Sequence, residues 1–132
     1  MMVLPNYSPD FQRISVDAMT AALSSTGVRL VVVLSSCGAD KAAGAGPVVG
    51  LHHFEQQINT LDAVVPRLRA GCFMENLLSQ VETIRRAGVI AAPFDPDVAM
   101  PFIATTEIGR AAAYSPLTPD LRIGHSRAAG RM

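Results

Sequence analysis

Val28-Arg29-Leu30-Val31-Val32-Val33-Leu34 is an unbroken, mostly β-branched apolar run. It shows no alternation of polar and apolar positions. Such a run suits a strand covered on both faces, as in a parallel sheet. What surrounds it narrows the fold further. Ser8-Pro9-Asp10 has the form of a helix start, with Ser8 as N-cap and Pro9 at the first helical position. Phe11, Ile14, Ala18, Met19, Ala22 and Leu23 then recur at spacings of three and four, which predicts an amphipathic helix with that face buried. Gly27 suits its left-handed C-cap. A helix, a glycine turn and a doubly buried strand make half of a βαβ unit.

The pattern repeats downstream. A Gly- and Ala-rich loop follows Ser35-Ser36-Cys37-Gly38 and ends at Pro47. A second helix is expected from Val48 to about Thr60, with Leu51, Phe54, Ile58 and Leu61 on one face. Ala63 to Arg69 reads as a second strand, in which Pro66 removes one ladder hydrogen bond. A tight turn at Ala70-Gly71-Cys72-Phe73 leads to a third helix, about Glu75 to Ala87, with Leu77, Leu78, Val81 and Ile84 as its apolar face and Gly88 closing it. A short strand is expected at Val89-Ile90-Ala91, an extended segment at Phe102-Ile103-Ala104 and a short helix from Thr106 to Ala113. Before the first helix, the opening seven residues read as an extended lead-in, and from residue 114 on a tail with no periodicity is expected to be unstructured. The predicted fold class is α/β, a partial doubly wound parallel sheet of Rossmann type. Ligands of such sheets bind beyond the carboxyl ends of the strands, which directs attention to Ser35–Gly38 and Ala70–Asn76.

Composition excludes several classes. Acidic and basic residues balance at 11 each, so the charge offers no case for nucleic acid or an anionic membrane surface. No apolar run approaches the roughly 20 residues of a membrane helix. The expected location is the cytoplasm. Cys37 and Cys72 form no CxxC, and His52, His53 and Glu55 do not share a helix face, so no metal site is signalled. If the strands ending at Ser35 and Arg69 are neighbours, both thiols lie near one sheet edge; a disulfide there needs Cα atoms within about 7 Å. Separate thiols are the expectation in a reducing compartment.

Four segments carry a resemblance to a known family. Val31-Val32-Val33-Leu34-Ser35-Ser36-Cys37-Gly38-Ala39-Asp40, Gly50-Leu51-His52-His53-Phe54-Glu55, Leu68-Arg69-Ala70-Gly71-Cys72-Phe73-Met74-Glu75-Asn76-Leu77 and Ile103-Ala104-Thr105-Thr106-Glu107-Ile108-Gly109 resemble, in order, segments of NmrA-like proteins, which are atypical short-chain dehydrogenases. The similarity runs from about Val3 to Ala113. It implies an NAD(P)-binding domain over residues 1–113, bearing its C-terminal half, and a tail over 114–132. Family members open on a strand and a GxxGxxG turn, whose amides hold the pyrophosphate. This sequence has no such turn; Gly44, Gly46 and Gly50 follow the wrong strand. Ala70 stands where the family has proline. The resemblance therefore implies a member lacking the glycine-rich half and the C-terminal substrate region.

The resemblance also places candidate site residues. Ser35 and Ser36 fall where a nicotinamide ribose or a substrate carbonyl would rest, although serine at a strand end also satisfies backbone groups. His52 is the candidate catalytic residue, on the helix that follows their loop; its alternative is an ordinary, partly exposed helix position. Phe73 is placed to pack over nicotinamide, against the alternative of core packing. Asn76 is placed to bond the ligand or to cap the following helix. Arg69 is expected to pair with a carboxylate inside the fold or to approach a phosphate. No tyrosine is followed by lysine four residues on, so the YxxxK pair of carbonyl reductases is missing. The implied cofactor is NADP or NAD, and the implied activity an NAD(P)H-dependent oxidoreductase, of quinone type, weakened by the missing turn. A non-catalytic dinucleotide sensor acting on a partner protein, or a fragment without function of its own, are the alternatives. An apolar strand edge left open would favour self-association.

Overall fold

The computed structural model describes residues 8–44, 46–90, 95 and 97–115. The expected lead-in, Ala91 of the expected short strand and the tail beyond residue 115 lie outside the described residues. Among the described residues the chain is a mixed α/β structure with two small parallel sheets of two strands each. The elements follow in the order α1 (Pro9–Thr26), β1 (Val33–Ser36), α2 (Val49–Ile58), β2 (Arg67–Ala70), β3 (Cys72–Phe73), α3 (Val81–Ala87), β4 (Phe102–Ile103) and α4 (Thr105–Tyr114). Tight 3₁₀ turns precede α2 (Gly46–Val48) and α3 (Met74–Gln80).

β1 and β2 run parallel, with Val33 opposite Arg67 and Ser36 opposite Ala70. Pairing begins earlier, at Leu30 opposite Val64. There the Val64 amide donates to the Arg29 carbonyl, and the Val31 amide to the Val64 carbonyl. The expected strand at Val28–Leu34 is therefore interrupted and displaced toward Ser36. Pro66 supplies the reason. Its carbonyl accepts from the Val33 amide at 2.9 Å, but it has no N–H to return to the Val31 carbonyl, so one rung of the ladder is missing.

The doubly buried reading holds for Val31–Leu34, while Arg29 and Leu30 at the start of the run are exposed. Val31 and Val33 pack with Val16 of α1 and with Phe54 and Ile58 of α2. Leu34 instead joins Leu68, Ala70 and Ile108 of α4, with Val32 packed against them. Alternate side chains thus feed two cores, with α1 and α2 on one side and α4 on the other.

Three expectations need correction. The buried face of α1 is Gln12, Val16 and Thr20, flanked by Met19 and Leu23, while Phe11 and Ile14 are 44% and 61% exposed. Helical periodicity locates an apolar stripe, but α2 fixes which edge of it is covered, and α2 lies against the Val16 side. The expected third helix begins as a 3₁₀ turn, and its stripe of Leu77, Leu78, Val81 and Ile84 is exposed. Val89 and Ile90 are exposed and form no strand. In both places an apolar pattern finds no covering element among the described residues.

Gly27 and Gly88 cap α1 and α3 in the left-handed region, at φ 63° and 67°. Gly71 is required for a different reason. A Cβ there would lie 2.1 Å from the Pro101 carbonyl oxygen. That oxygen accepts from the Cys72 amide at 2.8 Å and starts the β3–β4 pairing of Cys72 with Phe102. Gly71→Ala is expected to push the Pro101 strand away and cost about 1–3 kcal/mol. Urea unfolding would measure the loss, and amide exchange at Cys72 would show it to be local.

Candidate functional site at the carboxyl edge of the paired strands

The parallel register carries the ends of β1 and β2 to one edge. Ser36 Oγ donates to the Ala70 carbonyl at 3.3 Å, and the Cys37 amide donates to the same carbonyl at 2.9 Å. Cys37 Sγ lies 3.5 Å from the Arg69 carbonyl. After Ser36 the chain turns sharply: the Ala39 amide returns to the Ser36 carbonyl at 3.1 Å, and the Lys41 amide to the Gly38 carbonyl at 3.0 Å. His52 of α2 joins this turn, its Nδ1 3.0 Å from the Ala39 carbonyl oxygen. On the β2 side, Asn76 Nδ2 lies 3.8 Å from Cys72 Sγ. Both cysteines are free thiols.

Beneath this edge sits a buried ionic cluster. Glu55 of α2 has a side chain only 6% exposed. Its Oε1 accepts from Ser35 Oγ at 2.6 Å and from Arg69 Nε at 2.9 Å, and its Oε2 accepts from the same guanidinium. Arg69 thus grips the carboxylate with two parallel bonds. Arg67 Nε stands 4.0 Å from Oε2 and makes no hydrogen bond among the described residues. Burial pushes the Glu55 carboxyl up, but the hydrogen bonds from Arg69 and Ser35 and the charges of both arginines outweigh it and hold the group below its ordinary value. The same bond to Glu55 raises Arg69. The strand pattern explains the cluster. Arg67 and Arg69 share one face of β2 while Leu68 and Ala70 enter the core on the other.

The predicted residues therefore divide. Ser36, His52 and Asn76 gather around the strand ends. Ser35 is buried, and its hydroxyl bonds Glu55. Phe73 packs on the core of Leu34, Leu68, Ala70 and Ile108. Asn76 lies inside the 3₁₀ turn, so it caps no helix; Phe73 holds the position before that turn. The carboxylate partner expected for Arg69 is Glu55. His53 is exposed and pairs with Asp17 of α1 at 3.2 Å, tying the two helices together.

Sequence reasoning missed Glu75. Its Oε1 accepts from the Thr105 amide at 2.8 Å and from Thr105 Oγ1 at 2.7 Å. A carboxylate thirty residues upstream thereby caps α4 and ties it to the Cys72–Asn76 segment. These bonds hold Glu75 below its ordinary value. No local motif announces a cap of such long range.

Among the described residues no helix is long and apolar enough to cross a membrane, and no group of three or more His, Cys, Asp or Glu side chains is placed to hold a metal ion. No protein-family model matches the chain, and no curated protein matches it.

Proposed function

We propose that this chain is an NmrA-like NAD(P)-binding protein, of oxidoreductase descent, and that its strand-end edge forms one wall of a nicotinamide pocket in a doubly wound sheet. One observation carries the reading: the parallel pairing of β1 with β2 delivers Ser36–Ala39, His52 and Cys72–Asn76 to the same edge. Beyond the carboxyl ends of parallel strands is where ligands of open α/β sheets bind. The donor set fits the nicotinamide riboside half of a dinucleotide. A hydroxyl at Ser36, an imidazole at His52 and a carboxamide at Asn76 match ribose hydroxyls and a nicotinamide amide. It does not fit the pyrophosphate, which needs a run of backbone amides at a helix start. The cofactor, when bound, supplies a hydride. The chain's own contribution is to orient the ring end. Glu55 and Arg69 stiffen the strand ends from below, and Ser35 links β1 to them.

Titration of the full chain with nicotinamide mononucleotide, followed by amide NMR, tests this. Weak binding is expected, near a Kd of about 1 mM. Shifts should be confined to residues 36–39, 52 and 72–76. Shifts elsewhere, or none, would remove the reading. NADPH binding below about 1 μM would instead overturn the claim that the edge does not fit the pyrophosphate. A non-catalytic regulator acting through a partner is the second reading. The exposed stripe of Leu77, Leu78, Val81 and Ile84 favours it, and it takes precedence if the mononucleotide moves no amide at the edge.

A further inference from the structure

Two features of the backbone bring Cys37 and Cys72 together at the strand-end edge. The first is the register. Ser36 stands opposite Ala70, and the Cys37 amide donates to the Ala70 carbonyl at 2.9 Å. One step on, Cys37 falls beside Gly71, with Cys72 one residue further. Neighbouring strands lie about 4.8 Å apart and each residue advances about 3.3 Å, so this diagonal spans about 6 Å between Cα atoms, inside the limit of about 7 Å for a disulfide. The second is a change of face at Gly71. Leu68 and Ala70 enter the core beside α4, and strict alternation would send Cys72 there too. Phe73 packs on that core instead. Cys72, its neighbour in β3, therefore turns to the opposite face, the one that carries Arg69. Cys37 follows Val33 and Ser35 on that same face, where Val33 packs with Phe54 and Ser35 bonds Glu55. The electrostatics agree. Arg69 is held above its ordinary value chiefly by its bond to Glu55, and Asp40 and Cys37 add to the effect, which puts the Cys37 sulfur near the guanidinium.

Neither sulfur is strongly engaged. Cys37 Sγ donates to the Arg69 carbonyl at 3.5 Å; Cys72 Sγ accepts from Asn76 Nδ2 at 3.8 Å and lies 4.0 Å from the Phe73 carbonyl. These are long, weak contacts that a rotation of either side chain gives up at little cost. Both thiols are free and half-buried, so a small oxidant reaches them. We propose that Cys37 and Cys72 form a modification site, an oxidant-reactive pair that hydrogen peroxide converts to an intrachain disulfide. One thiol attacks a peroxide oxygen: an S–O bond forms, the O–O bond breaks, and the departing hydroxide leaves as water with the thiol's proton. The second thiol then attacks the sulfenic sulfur: the S–S bond forms, the S–O bond breaks, and a second water carries off the remaining proton. The two sulfurs are oxidised and the peroxide is reduced. The cross-link fixes the turn after β1 to the segment between β2 and the 3₁₀ turn. No cofactor enters this chemistry, so it stands whether or not the edge binds nicotinamide.

Hydrogen peroxide in slight excess, added to the reduced full chain at low protein concentration, tests this. Free thiols are blocked with N-ethylmaleimide before peptide mass spectrometry. The expected product is a monomer carrying a Cys37–Cys72 cross-linked peptide, two hydrogens lighter than the reduced pair and returned to free thiols by dithiothreitol. Cys37→Ser and Cys72→Ser each remove one partner. In both variants the surviving thiol should stop at the sulfenic acid, trapped by dimedone, with no intrachain cross-link. The same oxidation run in urea separates the fold from the chain, because the folded protein should cross-link faster than the unfolded one. Two blocked thiols in the treated natural sequence overturn the pairing. So do sulfinic acids on separate cysteines without a cross-link, and disulfides found only between chains, seen as dimers on a non-reducing gel. A cross-link that forms faster in urea than in buffer belongs to the unfolded chain and overturns it as well.

Discussion

Phe54→Ala is expected to lower the free energy of unfolding by about 3–5 kcal/mol, the largest single loss available in the core. Phe54 is fully buried and meets Val16, Val31, Val33 and Ile58. Among the described residues it is the only aromatic in that cluster, so one truncation removes contacts to α1, to β1 and to the following turn of its own helix. Two terms add: the transfer energy of the lost ring and the cavity left behind, which four rigid or β-branched neighbours cannot readily close. A small domain holds only about 5–15 kcal/mol in total, so this variant should approach the unfolding threshold at ambient temperature. Chemical denaturation followed by circular dichroism would measure it. A loss below about 1 kcal/mol would mean that the site collapses freely and that the cluster is not the main core.

Glu55→Ala is expected to cost about 2–3 kcal/mol, less than the 3–5 of a fully buried pair because both arginines remain about a third exposed and can be rehydrated. The substitution strips Arg69 of a bidentate partner and leaves the buried Ser35 hydroxyl without its acceptor. Arg67 and Arg69 would then face each other as like charges on one strand face. The pH dependence has a definite direction. The Glu55 carboxyl titrates lower in the folded chain than in the unfolded one. Its stabilising effect is therefore fully present above the ordinary carboxyl range and is lost as pH falls through the depressed folded value. Glu75, held low by Thr105, adds to the acid limb with the same sign. Unfolding midpoints measured in urea from neutral to acidic pH should fall for the natural sequence, and Glu55→Gln should flatten part of that fall. Parallel curves for the two proteins would show that the carboxylate does not titrate as described.

Much of the local structure is readable along the chain. The β-branched run at Val28–Leu34 leads into a strand fed by two cores, as its lack of alternation implies. Gly27 and Gly88 end helices. Pro66 breaks the ladder where its missing N–H requires. Phe54 and Ile58, with Leu51 and Leu61 packed beside them, form the buried face of α2 as their spacing indicates. Each of these follows from backbone sterics or from one residue's own hydrogen-bonding capacity, which neighbouring residues suffice to express.

Glu55 shows where that reasoning stops. Nothing in its local sequence marks it as the buried partner of Arg69. A signal was nevertheless present, since two arginines on one face of a strand otherwise built for a core call for a buried anion. The site's composition divides the same way. The strand ends could be located from the order of elements, whereas Ser36, His52 and Asn76 entered as candidates through the family resemblance. That Ser35 turns to Glu55, that Phe73 serves the core of α4 and that Glu75 caps a helix thirty residues on were settled by packing. The sequence by itself determined the helices at α1, α2 and α4 and the glycines that end α1 and α3, because those preferences act over a few residues, while it placed the strands only approximately. The tertiary structure alone decided which face of α1 is covered, which carboxylate meets the arginines and which histidine joins the turn after β1. Those outcomes depend on groups brought together by the parallel crossover, and no local pattern encodes the register of strands that lie more than thirty residues apart.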